Sequence, residues 1–138
     1  MTLNLPTSIL VIGDTTATTH SLIHALQAVH FTVFFTKPGV AAFEIIRSQS
    51  PDIIIIDAAP FTDLGLKICR EIRAFTRIPL LILSATDKPG MMESALDSGA
   101  DKYLPKPVQL PILIAHIRTL RRRAAAEQQA ARLQSRAQ

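Results

Sequence analysis

Residues 51–60 read PDIIIIDAAP, and the fold prediction starts from this segment. Four consecutive isoleucines are too few to cross a membrane and too uniformly apolar for a strand with one face in water. A short β-branched run bounded by prolines predicts a strand that is buried on both faces, as in the centre of a parallel sheet. Open α/β sheets bind ligands at the carboxyl ends of such strands, and Asp57 stands at this end. Asp57 is therefore the first candidate for a functional residue.

The rest of the chain repeats the same unit of an apolar run followed by a segment with helical spacing. In the first such segment, Leu22, Ile23, Leu26 and Val29 share one helical face. Predicted strands cover residues 8–14, 31–35, 51–57, 78–83 and 101–104, and predicted helices cover residues 15–29, 38–48, 66–74, 91–98 and 110–120. Five repeats with short connections indicate an α/β fold with a single five-stranded parallel sheet, doubly wound, with helices on both faces.

The basic charge of the chain is concentrated at its C-terminal end. The formal net charge is +4 over 138 residues, but residues 1–117 carry nine Lys/Arg and ten Asp/Glu. Residues 118–138 carry six arginines and one glutamate, a net charge of +5. The folded body therefore has no basic footprint for nucleic acid. We divide the chain into an N-terminal lead (1–7), one domain (8–121) and a basic Arg/Ala/Gln helical extension or linker (122–138).

Several classes of protein are excluded or disfavoured by the composition. No apolar run approaches the roughly 20 residues that a membrane span needs. The first residues lack the basic flank and apolar core of a signal peptide. A single cysteine, Cys69, excludes an internal disulfide and a cysteine-based metal cluster. We therefore expect a soluble cytoplasmic protein with no membrane partner.

Polar side chains follow four of the five predicted strands. Asp14, Asp57, Ser84 and Lys106 come after the first, third, fourth and fifth strands, and these ends lie on one edge of a parallel sheet. Two carboxylates completed by waters and a carbonyl suit Mg²⁺, while an ammonium and a hydroxyl suit the oxygens of a phosphoryl group. A carboxylate flanked by metal and lysine can act as a nucleophile and form an aspartyl phosphate.

Four motifs in this order resemble the receiver domain of bacterial response regulators, which has the fold of the chemotaxis regulators. The motifs are Asp14, the run Asp57-Ala58-Ala59 with Gly65 eight residues after Asp57, the run Leu83-Ser84-Ala85, and the run Tyr103-Leu104-Pro105-Lys106-Pro107. The resemblance covers residues 8–121. It implies a flavodoxin-like strand order, 2-1-3-4-5, and a role in two-component signal transduction.

By this resemblance, Asp57 is the phosphoacceptor that receives a phosphoryl group from a sensor histidine kinase. Asp14, Asp57 and the backbone carbonyl of Ala59 would hold Mg²⁺, the implied cofactor. The domain would not be an enzyme, although it would take part in its own phosphorylation and dephosphorylation. Ser84 and Lys106 would hold the phosphoryl group.

The same resemblance implies how a signal leaves the site. Tyr103 would be an aromatic switch, and the bond between Lys106 and Pro107 would be cis. The end of the last helix, residues 117–123, resembles regulators whose receiver precedes a winged-helix DNA-binding domain. Those regulators form a homodimer through helix 4, strand 5 and helix 5, so DNA would be reached only through an output domain that these 138 residues lack. Candidate charged residues for the dimer are Asp97, Asp101, Arg118 and Arg122, while Lys102 and His116 stand where that subfamily has an acid and an arginine.

Two departures from the family pattern lie beside the site. The family usually has two adjacent acids after the first strand, and the first of them is Gly13 here. One carboxylate fewer predicts weaker Mg²⁺ binding. The loop proline is one residue early, at Pro60, and Phe61 takes its place.

Three other functions are consistent with parts of the pattern. The hydroxyl-rich segment 15–19 could cradle a flavin phosphate, but the chain has no Trp and one Tyr for the walls of a flavin site. A phosphatase of the dehalogenase type would have a second acid at position 59, where the chain has Ala59. The third is a degenerate receiver that serves as a phosphorylation-independent interaction module, which Gly13 keeps open.

Overall fold

A computed structural model describes residues 6–58, 61–85 and 88–137 of the chain. Five parallel strands form one sheet in the order β2-β1-β3-β4-β5, and each strand is followed by a helix. The strands are β1 (Ser8–Gly13), β2 (Thr32–Thr36), β3 (Ile53–Ala58), β4 (Leu80–Ser84) and β5 (Lys102–Pro105). The helices are α1 (Ala17–Ala28), α2 (Val40–Gln49), α3 (Asp63–Phe75), α4 (Met91–Asp97) and α5 (Leu110–Ala137). The predicted fold class and strand order are confirmed.

The isoleucine run forms the centre of the sheet, as predicted. β3 pairs with β1 on one side and with β4 on the other. Successive side chains of a strand point to opposite faces, so Ile54 and Ile56 pack under α2, α3 and α4, and Ile53 and Ile55 pack under α1 and α5. All four are at most 5% exposed. Because helices cover both faces, a β-branched residue suits every position of this strand.

The last helix continues well past the sheet. Leu113, Ile117 and Leu120 are its buried residues and pack against the sheet. Beyond residue 120 the side chains described are exposed, with the exception of the half-buried Ala124. The chain is helical through Ala137, and the arginines of this segment are exposed.

Several element boundaries differ from the prediction, and two of the differences have a local cause. α3 begins at Asp63, three residues earlier than expected, because Thr62 has an extended backbone at the N-cap and Asp63 brings an acid to the first turn. β4 begins at Leu80 and not at residue 78, since Pro79 has no N–H to donate and contributes only its carbonyl, which accepts from Ile54.

The single cysteine belongs to the core. Cys69 is fully buried in α3, and burial raises the pKa of its thiol from 9.0 to about 11, with Arg73 and Arg70 partly opposing the rise. The thiol is therefore protonated at neutral pH and packs as an apolar group. Within the described ranges, no helix is both long enough and apolar enough to span a membrane.

Candidate functional site

The strand registers bring the predicted polar residues to one edge of the sheet. Gly13 is paired with Asp57 across β1 and β3, so Asp14 follows at the next position. Ala58 is paired with Ser84 across β3 and β4. The backbone N–H of Lys106 donates to the carbonyl of Ser84 at 2.8 Å, which ties the end of β5 to the end of β4. The convergence predicted from the sequence is thus present.

Asp57 is the buried acid of this edge. Its residue is 5% exposed and its side chain 1%. The Oδ1 atom forms an ion pair with the ammonium of Lys106. The Oδ2 atom accepts a hydrogen bond from the Thr19 hydroxyl at 2.8 Å. A buried charge is tolerated when it is paired and hydrogen-bonded, and Asp57 has one partner on each oxygen.

Lys106 reaches Asp57 from a backbone that is fixed on both sides. Its N–H is hydrogen-bonded to β4, and the peptide bond from Lys106 to Pro107 is cis, as the resemblance implied. Its side chain is 20% exposed, so the ammonium lies at the boundary between the buried carboxylate and solvent. This position allows the ammonium to contact both Asp57 and an anion that approaches from outside.

Asp14 lies next to the buried acid but is exposed. Asp14 and Asp57 are among the residues that line one cavity of about 210 Å³, together with Gly13, Ala58 and Thr62. Carboxylate oxygens and room for water suit Mg²⁺, which keeps several of its waters when a protein binds it. In the described part of the chain, no group of three or more His, Cys, Asp or Glu side chains is arranged to hold a metal ion. Ala59, whose carbonyl was also predicted as a ligand, lies outside the described residues.

Gly13 allows β1 to approach β3 closely. A Cβ atom at this position would lie 2.8 Å from the backbone oxygen of Asp57. An acid at position 13 would therefore displace part of the central strand that carries the phosphoacceptor candidate. Replacing Gly13 with aspartate is thus a change in strand packing as well as in charge, which the sequence alone did not indicate.

Ser84, Phe61 and Tyr103 connect the edge of the sheet to its α4 side. Ser84 is fully buried at the end of β4. Phe61 is 1% exposed, and its ring meets the half-buried ring of Tyr103 edge to face, with 5.9 Å between centroids and 78° between planes. A Cβ atom at position 65 would lie 2.4 Å from the Phe61 ring, which explains why Gly65 follows this loop. The residue that replaces the family's proline is thus part of the core beneath Tyr103.

Thr19 is a site residue that sequence reasoning missed. The side chain of Thr16 caps α1 by accepting from the Thr19 N–H at 3.2 Å. The same helical turn buries the Thr19 side chain, which is 2% exposed and points to Asp57. A polar residue on the buried face of α1 was the signal that could have indicated a functional role for Thr19.

One charged residue suggested for a dimer has partners within the chain. Asp101 forms an ion pair with Arg73 at 3.0 Å and accepts from the Leu80 N–H at 2.8 Å. Arg73 also donates to the carbonyls of Gly99 and Ile78 at 3.0 Å each. Asp101 therefore helps to fix the start of β4 and β5. Asp97, Arg118 and Arg122 are exposed.

Comparisons with known proteins agree with this geometry. The family model described as "Response regulator receiver domain" matches residues 9–118. "Response regulator MprA" from Mycobacterium ulcerans (strain Agy99) is 40% identical over 121 residues, which cover 86% of this chain and 52% of that protein. The chain thus spans about half the length of the curated relatives that it matches.

Solved structures with the same fold include other receiver domains. A two-component response regulator from Clostridium difficile has a TM-score of 0.76 and 28% identity, with 86% of this chain and 98% of that chain covered. The BeF3-activated N-terminal receiver domain of Klebsiella pneumoniae RstA has a TM-score of 0.70 and 27% identity, with 83% and 98% covered.

Proposed function

Because this chain belongs to the response regulator receiver domain family, we propose that Asp57 accepts a phosphoryl group from a sensor histidine kinase in a Mg²⁺-dependent reaction. The observation that carries this proposal is the buried ion pair of Asp57 with Lys106, beside the exposed carboxylate of Asp14. A carboxylate that only terminated a strand would not need a cationic partner and a second acid in the same cavity.

The reaction is a displacement at phosphorus. One carboxylate oxygen of Asp57 attacks, and a new O–P bond forms as the bond between phosphorus and the donor breaks. The donor, a kinase histidine or acetate from acetyl phosphate, leaves with the electron pair. Lys106 stays close to the carboxylate and can neutralise the phosphoryl oxygens, because phosphoryl transfer depends mainly on positioning and charge stabilisation.

Asp14 and Asp57 would hold the Mg²⁺ ion, with water completing its coordination. The ion would neutralise charge on the phosphoryl oxygens and fix their orientation. Asp14 can bind the hydrated ion from an exposed position, whereas the Asp57 side chain is nearly inaccessible to water. In this division of roles, Asp14 attracts the cation and Asp57 provides the nucleophile.

We extend the proposal to the exit of the signal. The Ser84 hydroxyl is at the end of β4, next in register to Ala58, and can approach a phosphoryl group on Asp57. A shift of Ser84 changes the packing beside Tyr103, which lies on the neighbouring strand. Such a local change can bias a two-state surface formed by α4, β5 and α5.

The same surface is the candidate for homodimer formation. α4 exposes Met92 and Leu96, at 47% and 42%, and Arg118 and Asp97 are exposed charges on α5 and α4. We expect beryllofluoride to increase the molar mass in sedimentation equilibrium and Arg118→Glu to oppose this increase. A monomer of unchanged mass in both states would contradict the dimer but not phosphorylation. Any contact with DNA would need a further domain.

A phosphorylation-independent interaction module fits the geometry less well. Gly13 removes one acid, but the Asp57–Lys106 pair and Asp14 are retained. A module that never takes phosphate gains nothing from a buried ion pair, since burial of two charges usually gives little or no net stability. The retained pair therefore favours phosphoacceptance.

Intact-mass measurement after treatment with acetyl phosphate and Mg²⁺ tests the proposal. We expect a gain of one phosphoryl group in the wild type and none in Asp57→Asn. Asp63→Asn, at an exposed acid in the first turn of α3, is the matched control and should retain the gain. An equal gain in wild type and Asp57→Asn would refute the assignment, and no gain in any of the three would favour the interaction module.

A further inference from the structure

The hydroxyl of Thr19 occupies one of the two oxygens of the phosphoacceptor candidate. Thr19 is 2% exposed, and its Oγ1 donates to Asp57 Oδ2 at 2.8 Å. Lys106 pairs with Oδ1. Protein donors therefore contact both oxygens of a carboxylate whose side chain is 1% exposed.

The direction of the neighbouring hydrogen bonds follows from counting protons. A threonine hydroxyl has one proton to donate, and Thr19 gives it to Asp57. Thr16 Oγ1 lies 3.0 Å from Thr19 Oγ1, so Thr16 is the donor in that contact. Thr18 Oγ1 lies 3.0 Å from Thr16 Oγ1 and must then donate to Thr16. Three hydroxyls form a chain that points towards Asp57, and each bond polarises the next.

We propose that Thr19 is a positioning residue that holds Asp57 in the metal-free state and must release Oδ2 when Mg²⁺ binds. This inference rests on the proposed function, because it concerns the cation of the phosphoacceptor site. The hydroxyl substitutes for the cation as a partner of the carboxylate. Mg²⁺ then binds in competition with a hydrogen bond to a charged group, and the affinity of the site for the ion is lowered.

If Thr19 competes with Mg²⁺, its replacement changes the Mg²⁺ affinity, which the loss of a packing contact alone would not do. Thr19→Val keeps the shape of the side chain and removes the hydroxyl, which leaves Oδ2 without its donor in the metal-free protein. Mg²⁺ can restore a partner to that oxygen. The variant should therefore bind Mg²⁺ about tenfold more tightly than the wild type, since it has no charged hydrogen bond to give up. It should also lose stability mainly when Mg²⁺ is absent.

The experiment measures Mg²⁺ affinity by calorimetric titration and urea midpoints with EDTA or saturating Mg²⁺, for wild type, Thr19→Val and Thr19→Ser. We expect Thr19→Ser, which keeps the hydroxyl, to have nearly the wild-type affinity. The urea midpoint of Thr19→Val should be lower than that of the wild type in EDTA, and most of this difference should disappear in saturating Mg²⁺. Thr16→Val is the control for loss of the α1 cap: it keeps the donor to Asp57 but removes the hydroxyl that donates to Thr19, so its midpoint should fall in both conditions and recover less in Mg²⁺ than that of Thr19→Val.

Three results would overturn the inference. The first is that Thr19→Val binds Mg²⁺ as tightly as the wild type or less tightly. The second is that the urea midpoint of Thr19→Val falls by the same amount in EDTA and in Mg²⁺. The third is that the wild type binds no Mg²⁺. Should Thr19→Val not fold, the wild-type Thr19 methyl resonance provides the second test: it should shift in proportion to Mg²⁺ saturation, and an unmoved resonance would contradict the proposal. The first two results leave Mg²⁺-dependent phosphorylation of Asp57 intact and overturn only the role of Thr19, whereas a wild type that binds no Mg²⁺ would also contradict the proposed function.

Discussion

Asp57 and Asp14 end neighbouring strands of the same sheet, yet their surroundings differ sharply. Asp57 is 5% exposed and has a lysine on one oxygen and a threonine on the other. Asp14 is exposed, one residue beyond the end of β1. Both residues line the same cavity. Two acids at one edge of the sheet thus have opposite surroundings, which supports the proposal that Asp57 is the nucleophile and that the exposed Asp14 helps to hold the cation.

The contrast between Asp14 and Asp57 can be tested first by replacing the exposed Asp14. Asp14→Asn should still be phosphorylated on Asp57, but much more slowly at limiting Mg²⁺. The loss of a direct ligand should exceed the about 10- to 100-fold cost in metal affinity that is typical of losing an outer-shell partner. The measurement is the rate of mass gain from acetyl phosphate across a Mg²⁺ titration. A rate equal to that of the wild type at limiting Mg²⁺ would place Asp14 outside the metal site.

A second test asks whether the buried acid alone is coupled to the far surface. Tyr103 is the only tyrosine and the chain has no tryptophan, so intrinsic fluorescence reports directly on this residue. Beryllofluoride with Mg²⁺ should change the Tyr103 emission of the wild type, and Ser84→Ala should lose more than half of that change because the hydroxyl that responds to the phosphoryl group is absent.

The control for this test uses the other acid. At saturating Mg²⁺ and beryllofluoride, Asp14→Asn should keep the full amplitude of the Tyr103 change, since Asp14 affects occupancy and not the path to β5. A full response in Ser84→Ala would show that another group carries the coupling. The adjacent Phe61 ring would then be the next candidate.

A third test concerns the close approach of the two strands. Gly13→Ala places a Cβ atom against the backbone oxygen of Asp57, and overpacking of this kind costs about 1–3 kcal/mol in the free energy of unfolding. Asp14→Ala, at the exposed position next to it, should change that free energy by less than about 0.5 kcal/mol. Urea unfolding of the two variants gives both values. Equal free energies of unfolding for Gly13→Ala and Asp14→Ala would mean that β1 and β3 can move apart without loss of stability.

The sequence predicted the fold almost completely because residue type indicates which strands are buried, and the spacing of apolar residues indicates the helices. The isoleucine run predicted the central strand, and the spacing of Leu113, Ile117 and Leu120 predicted the buried face of α5. The Ala, Arg and Gln residues that follow favour helix by propensity, but the sequence left a linker open there. The start of α3 was missed because it depends on the backbone conformation of Thr62, which residue type does not determine.

The sequence predicted that four residues of the candidate site would meet, but it did not predict Thr19 or the contacts among them. Strand ends indicated that Asp14, Asp57, Ser84 and Lys106 would meet. Which acid is buried depends on the packing of α1 over the edge, and a threonine on the buried face of α1 does not show which carboxylate its hydroxyl contacts. The steric role of Gly13 was likewise hidden, because it follows from the distance between two strands and not from a missing charge.

The most direct test of the central claim locates the acyl phosphate within the unmodified protein. After treatment with acetyl phosphate and Mg²⁺, borohydride reduces an aspartyl phosphate to homoserine with release of phosphate, and peptide mass mapping then identifies the position. The account predicts homoserine at position 57, on the β3 peptide, and unmodified aspartate at position 14. Homoserine at position 14, or at any position other than 57, would contradict it.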